Sequence, residues 1–328
     1  MTLDPAAVER FRGDLERALG RPVAPGERIA LAVSGGPDSM AMLALAHAAF
    51  GDAVIAATVD HKLRPEAARE ASMVAGYCAA IGVPHATLAP EQPIAGASVQ
   101  AQARTIRYAL LQQWARVTGA SMLGTAHHAD DQAETFLMRA ARGSGLAGLA
   151  AIRERREFGA VMVVRPLLGW RRAGLRTIAT AAGAPFIDDP SNTDPQYDRA
   201  RFRELFEAHP WLDVKGIARA AEHLAEAERA ILACADMAWE DRAVIEEGGV
   251  RLDARDLPRE VRRRLVRSAI ATVRARTGIT EPEWHDGANV ESLLDALIAE
   301  SSATQAGVMA SARNGTWRFS PAPPRRSH

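Results

Sequence analysis

Residues 34–39, SGGPDS, form a glycine-rich loop of residue types that could bind phosphate. The loop follows an apolar run and precedes a helical pattern, so its backbone N–H groups and the positive end of the helix would face an anion. It has no lysine, which a P-loop of the GxxxxGKS/T type needs on its phosphates. Asp38 would repel a bare triphosphate, which suggests a bridging Mg²⁺. The alternative is a tight turn in which Asp38 or Ser39 caps the helix.

A second stretch, GTAHHADDQAETFLMR at residues 124–139, combines two carboxylates with an imidazole. Asp131 and Glu134 stand three positions apart at the start of a predicted helix and therefore share a face, with His127 just before it. Such a set suits a metal ion or an acid–base pair. The alternative is that Asp130 or Asp131 caps the helix and Glu134 closes a capping box. We expect the capping role for Asp130, which leaves Asp131 and His127 unexplained.

The elements that must position these stretches alternate between short apolar runs and longer alanine-rich helical patterns, which is typical of parallel βαβ units. Strands are predicted at 28–33, 53–59, 85–89, 120–125 and 160–166, with helical patterns at 40–50 and about 66–81. We therefore expect an α/β fold with a doubly wound, mostly parallel, Rossmann-like sheet. Ligands of such sheets lie beyond the carboxyl ends of the strands, where both stretches fall together with Asp60 and His61.

The sequence pattern changes near residue 210, after which long amphipathic helical patterns replace the strand signals. We predict a catalytic domain over 1–209 and a smaller, mainly helical domain over 210–328. The motif SARNGTWRF near the end predicts a short hairpin that turns at Asn314 and Gly315.

Segment 251–276 carries nine arginines and three acidic residues. It is either a surface that contacts phosphates or a solvated helix face whose arginines extend over the core.

Composition describes an ordinary globular protein. Of its 328 residues, 48% are hydrophobic and 24% are charged, and the formal net charge is zero. Contacts with nucleic acid would therefore depend on local basic patches. The two cysteines form no CxxC pair, which argues against structural zinc. We see no signal peptide and no apolar run that could span a bilayer, so the sequence predicts a cytoplasmic protein without a membrane partner.

Five stretches in order resemble a known family. SGGPDS resembles the PP-loop of the ATP pyrophosphatases, which cleave ATP between the α and β phosphates to adenylate a substrate. Together with VDHKLRP (59–65), ARTIRYALL (103–111), the stretch 124–150 and DDPSNTDPQYDRARFR (188–203), it resembles the tRNA(Ile)-lysidine synthetases. The resemblance covers about residues 27–207. The remainder is similar to the helical linker domain of that family only loosely, and keeps a reduced form of the final domain of its longest members.

The resemblance implies a ligase that acts on the wobble cytidine, position 34, of the isoleucine tRNA with a CAU anticodon. The C2 carbonyl oxygen of that cytidine attacks the α-phosphorus of ATP and releases pyrophosphate. The ε-amine of free L-lysine then displaces AMP at C2 and forms lysidine. The implied cofactors are ATP and Mg²⁺, and the implied partners are this tRNA and lysine; the oligomeric state stays open between a monomer and a homodimer.

The resemblance also implies roles for individual residues. ATP would be bound by the loop and by neighbouring segments, through Ser34, Gly35, Gly36, Pro37, Asp38, Ser39, Asp60, His61 and Arg107. Asp38 and Asp131 would hold the metal, and Asp131 with Glu134 would alternatively bind and deprotonate the lysine. His127 would contact phosphate as charge develops in the transition state.

Arginines would bind the tRNA. Arg199, Arg201 and Arg203 would hold its backbone or the flipped cytidine, with Arg201 among the catalytic residues, because a base attacked at its ring must leave the stack. Within the basic segment, phosphate contacts are assigned to Arg262, Arg263 and Arg267. One position departs from the family, since Ala200 stands where an asparagine is usual. This departure puts in doubt a role for the missing amide.

Three other functions share parts of this pattern. A tRNA thiolation enzyme normally needs reactive cysteines, and neither Cys78, in a helical run, nor Cys234, in the second domain, is an obvious persulfide carrier. An amide-forming ligase such as a nucleotide synthetase would share the opening loop. A catalytically silent tRNA-binding module would also fit, although the complete set of acidic residues and histidine in the two stretches argues against it.

Overall fold

A computed structural model describes residues 3–63, 66–93, 99–188, 198–285 and 287–323. The chain divides into two compact units, Met1–Ala225 and Glu226–His328. The predicted boundary at 209/210 falls between two helices, whereas the units divide inside the following helix. Parts of two family motifs, residues 64–65 and 189–197, lie outside the described residues.

The first unit is built on a six-stranded sheet. Its strands are β1 (Ile29–Ala32), β2 (Val54–Val59), β3 (His85–Leu88), β4 (Met122–Gly124), β5 (Arg155–Phe158) and β6 (Val161–Val164). They lie in the order β3-β2-β1-β4-β6-β5, and every neighbouring pair is parallel except β5 with β6. All five predicted strands are confirmed. The sequence analysis missed β5, because this exposed edge strand is charged and has no apolar run.

Helices cover both faces of this sheet. They are α1 (Pro5–Leu19), α2 (Pro37–Phe50), α3 (Glu66–Ala80), α4 (Val99–Val117), α5 (Ala129–Ala141), α6 (Leu146–Leu149), α7 (Arg172–Ala181) and α8 (Asp198–Ala208), with a 3₁₀ turn at Gly51–Ala53. The core on one face joins α2 to α1, α3 and α7 through residues such as Leu15, Leu43 and Leu175. On the other face Leu111 of α4 packs against Ile55 and Leu123 of the strands. The expected doubly wound fold is confirmed.

The second unit contains an antiparallel sheet. A long helix, α9 (Val214–Arg242), precedes β7 (Ala243–Glu246), β8 (Gly249–Asp253), α10 (Arg259–Thr277), α11 (Glu291–Ile298), β9 (Ser302–Gln305), β10 (Val308–Arg313) and β11 (Thr316–Pro321). The strands lie in the order β7-β8-β11-β10-β9. The hairpin predicted at Asn314 and Gly315 is confirmed, because Arg313 pairs with Thr316 and both turn residues have positive φ. Three further strands, which the sequence analysis did not predict, extend it into a sheet.

Apolar packing holds the helices of the second unit to that sheet. Leu265 and Ile270 of α10 share a core with Leu252, Trp317 and Phe319 of the strands. In neither unit does a helix within the described part of the chain have the length and apolar character needed to cross a membrane.

Candidate active site

The glycine-rich loop joins the carboxyl end of β1 to α2, and its own hydrogen bonds fix its shape. The Ser39 hydroxyl donates to the Gly36 carbonyl oxygen over 2.9 Å and accepts from the Ser34 backbone N–H over 3.1 Å. Gly35 has φ +86°, a left-handed backbone conformation that favours glycine. The N-cap of α2 is Gly36, so the alternative that Asp38 or Ser39 caps this helix is wrong.

The loop therefore offers an exposed hydroxyl and a helix start to a ligand. Ser34 is exposed, whereas Ser39 is buried and its hydroxyl is used within the loop. Pro37 is the first residue of α2, where its missing N–H removes no helical hydrogen bond. Asp38 follows in the first turn, where the partial positive charge of the helix end favours a carboxylate.

The start of α5 is capped by His128. Its Nδ1 accepts from the Asp131 backbone N–H over 3.3 Å, and Asp131 Oδ2 accepts from the His128 backbone N–H over 3.0 Å. The capping role expected for Asp130 is wrong. Asp130 instead pairs with the Arg171 guanidinium at 3.1 Å and accepts from the Arg172 backbone N–H at 2.9 Å, which fixes the start of α7. The spacing of residues in the sequence could not show that Asp130 stabilises the start of α7 and not the start of α5.

His128 also brings together carboxylates from two different elements. Its Nε2 lies 3.3 Å from Asp38 Oδ2 and 3.5 Å from Asp131 Oδ2, and the residue is 2% exposed. Because Nδ1 accepts a hydrogen bond, Nε2 carries the hydrogen that faces both carboxylates. Within the described residues, Asp38 Oδ1 is buried and has no hydrogen-bond partner. His127 was predicted as a site residue and His128 was not, although both belong to the same HH pair.

The charges at this centre shift its pKa values. Burial opposes ionisation of Asp131, but the charge of His128, the hydrogen bond from the His128 backbone N–H and the charge of Arg199 lower the pKa of Asp131. Burial likewise opposes protonation of His128, whereas its hydrogen bond to Asp38 and the charge of Asp131 raise its pKa. Asp131 is therefore a carboxylate at neutral pH.

His127 lies among arginines. Burial lowers the pKa of His127, and the charges of Arg165, Arg104 and Arg199 lower it further against the opposing charge of Asp131. Its Nδ1 lies 3.1 Å from Thr125 Oγ1. His127 is therefore a neutral imidazole at physiological pH, with three arginines and the Asp131 carboxylate near it.

Arg165 and Arg104 were not predicted as site residues. Arg165 follows β6 directly, is 6% exposed and donates from Nη1 to the Arg153 carbonyl oxygen over 2.6 Å. Among the described residues its Nε has no hydrogen-bond partner. Arg165 could have been found from the sequence, because it directly follows the apolar run of a predicted strand and therefore lies at the carboxyl edge of the sheet, where ligands bind.

Glu134 lies in a buried ion pair network and not in a solvated cleft. It is 1% exposed, and its Oε1 accepts from Arg172 Nη2 over 2.9 Å and from Arg203 Nε over 3.3 Å. Its Oε2 is buried without a hydrogen-bond partner in the part of the chain that the structure describes. The predicted tRNA residue Arg203 is thus joined to the predicted catalytic Glu134, and Arg172 of α7 was missed.

Arg107 of α4 contacts His61, which follows Asp60 after the carboxyl end of β2, and the role of these three residues in binding ATP stays a prediction. Asp60 follows β2, the neighbour of β1, and its Oδ1 accepts from the Lys62 backbone N–H over 2.8 Å. Arg107 Nε donates to His61 Nε2 over 3.3 Å. Burial and the Arg107 charge lower the pKa of His61, so its ring is neutral and can accept this hydrogen bond.

The remaining predicted residues fall into two groups. Arg199 and Arg201 are exposed on α8, and Ala200 between them is buried, so the departure from the family occupies an inward position. The three arginines of α10 that were predicted to contact tRNA are half-buried and bound within their own unit: Arg262 Nε donates to the Ala254 carbonyl oxygen, Arg263 pairs with Glu291 and Glu260, and Arg267 Nε donates to the Ala288 carbonyl oxygen. Their contact with tRNA stays a prediction.

Sequence comparison with known proteins identifies similar proteins of one family. A family described as a PP-loop domain matches residues 9–209. A tRNA(Ile)-lysidine synthase from Novosphingobium aromaticivorans is 42% identical over 324 residues, which cover 98% of this chain and 95% of that protein. One from Zymomonas mobilis subsp. mobilis is 44% identical over 305 residues, which cover 91% of this chain and 90% of that protein.

Comparison with solved structures agrees on the fold. The U34-tRNA thiolase NcsA from Methanococcus maripaludis aligns with a TM-score of 0.56 at 18% identity, covering 67% of this chain and 79% of that one. At this identity the likeness concerns the fold alone.

Proposed function

Since this chain belongs to the tRNA(Ile)-lysidine synthase family of PP-loop enzymes, we propose that it ligates free L-lysine to C2 of cytidine 34 in the CAU-anticodon isoleucine tRNA. In the first step the C2 oxygen of the cytidine attacks the α-phosphorus of ATP, and pyrophosphate leaves. In the second, the lysine ε-nitrogen attacks C2, the C2–O bond breaks, and AMP leaves while the amine loses a proton. The reaction takes place in the cytoplasm.

The observation that carries this proposal is the convergence of Asp38 and Asp131 on His128. One carboxylate belongs to the loop and the other to α5, and both approach the same imidazole nitrogen. A carboxylate pair at the edge where the glycine loop opens suits a nucleotide with its cation. ATP phosphates would be bound by the backbone of Gly35 and Gly36, the Ser34 hydroxyl and the start of α2.

These residues also fit Mg²⁺. In the described residues no group of three or more His, Cys, Asp or Glu is arranged to hold a metal ion alone. Magnesium in nucleotide sites is usually held by one or two carboxylates together with substrate phosphates, so such a group is not required. Asp38 would supply its unpartnered Oδ1, and Asp131 would supply the second of the two carboxylates. Bound there, the cation would neutralise part of the phosphate charge.

Phosphate charge would otherwise be stabilised by the arginines around His127. A neutral imidazole can donate one hydrogen bond without adding a proton to the leaving group. Arg104, Arg165 and Arg199 raise the positive potential at that position. Charge that develops on the α-phosphate during adenylation would therefore be stabilised without reorganisation of the site.

Lysine would be bound through its ammonium group before it reacts. The free amine has a pKa near 10.4, so it arrives protonated and must be deprotonated to attack C2. The lowered pKa of Asp131 makes this carboxylate a good partner for an ammonium ion. Glu134 would contribute by holding Arg203 in place, and Arg199 and Arg201 on the exposed side of α8 would contact the tRNA backbone.

Thiolation is less well supported than lysine ligation. Cys78 is buried in α3, and burial raises the pKa of its thiol to about 11, which disfavours the reactive thiolate. Cys234 is exposed but lies in the other unit.

The experiment incubates the protein with Mg-ATP, isotope-labelled lysine and a CAU-anticodon isoleucine tRNA transcript, then analyses the digested nucleosides by mass spectrometry. We expect a labelled cytidine derivative only when all components are present, with AMP and pyrophosphate formed in equal amounts. Methionine tRNA with the same anticodon is the control and should remain unmodified. Unmodified cytidine in the isoleucine tRNA after prolonged incubation would contradict the proposal.

A further inference from the structure

The turn between α8 and α9 presents an unusually exposed aromatic ring. Trp211 is 76% exposed, although tryptophan carries the largest apolar side chain. It occupies the third position of a turn that starts at His209, continues through Pro210 and closes with a hydrogen bond from the Leu212 N–H to the His209 carbonyl oxygen over 2.9 Å. Proline at the second position favours such a turn.

Hydrogen bonds on both sides hold this turn in place. The His209 N–H donates to the Leu205 carbonyl oxygen over 3.0 Å, which continues α8 into the turn. On the other side the Asp213 carboxylate accepts from the N–H groups of Lys215 and Gly216 at 3.0 and 2.9 Å, which fixes the start of α9. The His209 ring lies beside the indole, with 5.8 Å between ring centroids and 54° between planes. The indole is therefore held by its backbone and by one neighbouring ring.

The turn lies near the candidate active site. Val214, three residues after Trp211, packs against Ala129 and Ala133, which flank Asp131 on the first turns of α5. Three residues span at most about 11 Å, so the Trp211 backbone lies within that distance of the packed Val214. The turn that carries Trp211 is thus next to the first turns of α5, where Asp131 lies.

We propose that Trp211 stacks on an unpaired base of the tRNA anticodon loop, next to the reacting cytidine; this rests on the proposed function. An enzyme that attacks a ring atom of a base must take that base out of the stack, so its neighbours lose a stacking partner. Exposed aromatic rings beside cationic residues replace such contacts in proteins that bind single-stranded RNA. Arg199 and Arg201 are exposed on α8, the helix that precedes the turn, and would hold the backbone of the same tRNA.

The test measures tRNA binding by Trp211→Ala, by Trp211→Phe and by a matched control, Val117→Ala. Val117 is also 76% exposed, but it ends α4 and therefore lies at the amino edge of the parallel sheet, away from the site. The probes are CAU-anticodon transcripts carrying 2-aminopurine at position 33 or 35, whose fluorescence falls on stacking.

We expect Trp211→Ala to bind tRNA about tenfold more weakly, which corresponds to roughly 1.4 kcal/mol. It should also lose fluorescence quenching at one probe position while keeping the wild-type salt dependence, because stacking releases no counterions. Trp211→Phe should keep most of the affinity, and Val117→Ala should match wild type. Unchanged affinity and quenching in Trp211→Ala would overturn the proposal, and so would a flattened salt dependence.

Lysidine formation by the wild-type protein separates this inference from the proposed function. If the wild type forms lysidine and Trp211→Ala binds tRNA normally, only the stacking role fails. If the wild type binds the tRNA without forming lysidine, the proposed function fails, and the binding comparison still decides the stacking role.

Discussion

His128 connects two roles that local sequence would assign to separate residues. It caps α5 through Nδ1 and faces the carboxylates of Asp38 and Asp131 through Nε2. The two carboxylates would repel each other, and a shared N–H group reduces that repulsion. The distance between the two proposed metal-binding carboxylates thus depends on His128. This residue has no carboxylate and was not predicted as a site residue.

His128→Asn tests this dependence. The asparagine side-chain oxygen can accept the hydrogen bond from the Asp131 N–H, but its shorter side chain does not reach Asp38. We expect stability within about 1 kcal/mol of wild type, because the cap is kept, and at least about a tenfold loss of tRNA-dependent AMP formation. Urea unfolding and an AMP assay over a range of Mg²⁺ concentrations measure the two effects. Wild-type AMP formation in His128→Asn would mean that the cap is the whole role of this residue.

Asp38→Ala removes the loop carboxylate, which also contacts His128. Asp38 supports no apolar core and its Oδ1 lacks a partner among the described residues, so the fold should be retained. We expect AMP formation to be lost, because the proposed contact with ATP through Mg²⁺ is removed. Circular dichroism checks the fold, and labelled ATP measures turnover. A folded variant with near-normal turnover would exclude the loop carboxylate from the mechanism.

Asp131→Asn separates charge from shape. The amide keeps an oxygen for the His128 N–H and therefore keeps the capping box, but it loses the negative charge. We expect little or no lysidine, since neither the cation nor the lysine ammonium group would be attracted. Mass spectrometry of nucleosides measures the product, and a parallel AMP assay identifies the affected step. Lysidine at the wild-type rate would reduce Asp131 to a helix cap.

At the scale of elements, α5 is joined to α7 and α8 by one carboxylate. Glu134 of α5 pairs with Arg172 of α7 and Arg203 of α8, and all three side chains are mostly or fully buried. If Glu134 lost its negative charge, the guanidinium groups of Arg172 and Arg203 would lie close together without a compensating charge. The helix that carries the predicted tRNA arginines is therefore held by a residue predicted to be catalytic.

Glu134→Gln should destabilise the protein by about 1–3 kcal/mol, less than a fully buried pair because both arginines retain some solvent contact. The matched control is Arg176→Gln, which breaks an exposed pair with Asp188 and should leave the free energy of unfolding close to that of the wild type. Urea unfolding measures both variants. Equal stability of Glu134→Gln and wild type would show that the network does not hold the helices together.

At the scale of the whole molecule, zero formal net charge means that tRNA binding must depend on local surfaces. The CAU anticodon loop also exists on methionine tRNA, so contacts with that loop cannot distinguish the two tRNAs. The basic helix α10 is a candidate for contacts with the tRNA body. Its three predicted arginines have partners within their own unit, so a binding test must include a measure of folding.

The variant Arg262→Gln, Arg263→Gln, Arg267→Gln tests this surface. We expect weaker tRNA binding and a salt dependence flattened by up to about one unit of slope per lost phosphate contact. Affinity for ATP alone should not change. Arg276→Gln, an exposed change on the same helix, is the control for a general loss of positive charge. If the triple variant is folded and keeps both affinity and slope, discrimination between the tRNAs lies elsewhere.

The sequence by itself determined the doubly wound sheet and the family. Apolar runs in the first half predicted five of its six strands, because parallel strands are buried on both faces and read as continuous apolar segments. The family motifs, such as SGGPDS, consist of contiguous residues, so they can be recognised without knowledge of the fold. The Asn-Gly hairpin was equally local, since both turn residues adopt positive φ.

Only the tertiary structure decided which side chains meet. Asp130 and Asp131 are adjacent in sequence, yet Asp130 fixes the start of α7, a contact that depends on where another helix begins, whereas Asp131 closes the capping box of its own helix with His128. The three strands that complete the second sheet are short and partly exposed, so their pattern was too weak to identify before their partners were known. Contacts between residues distant in the chain follow from packing, which local spacing does not encode.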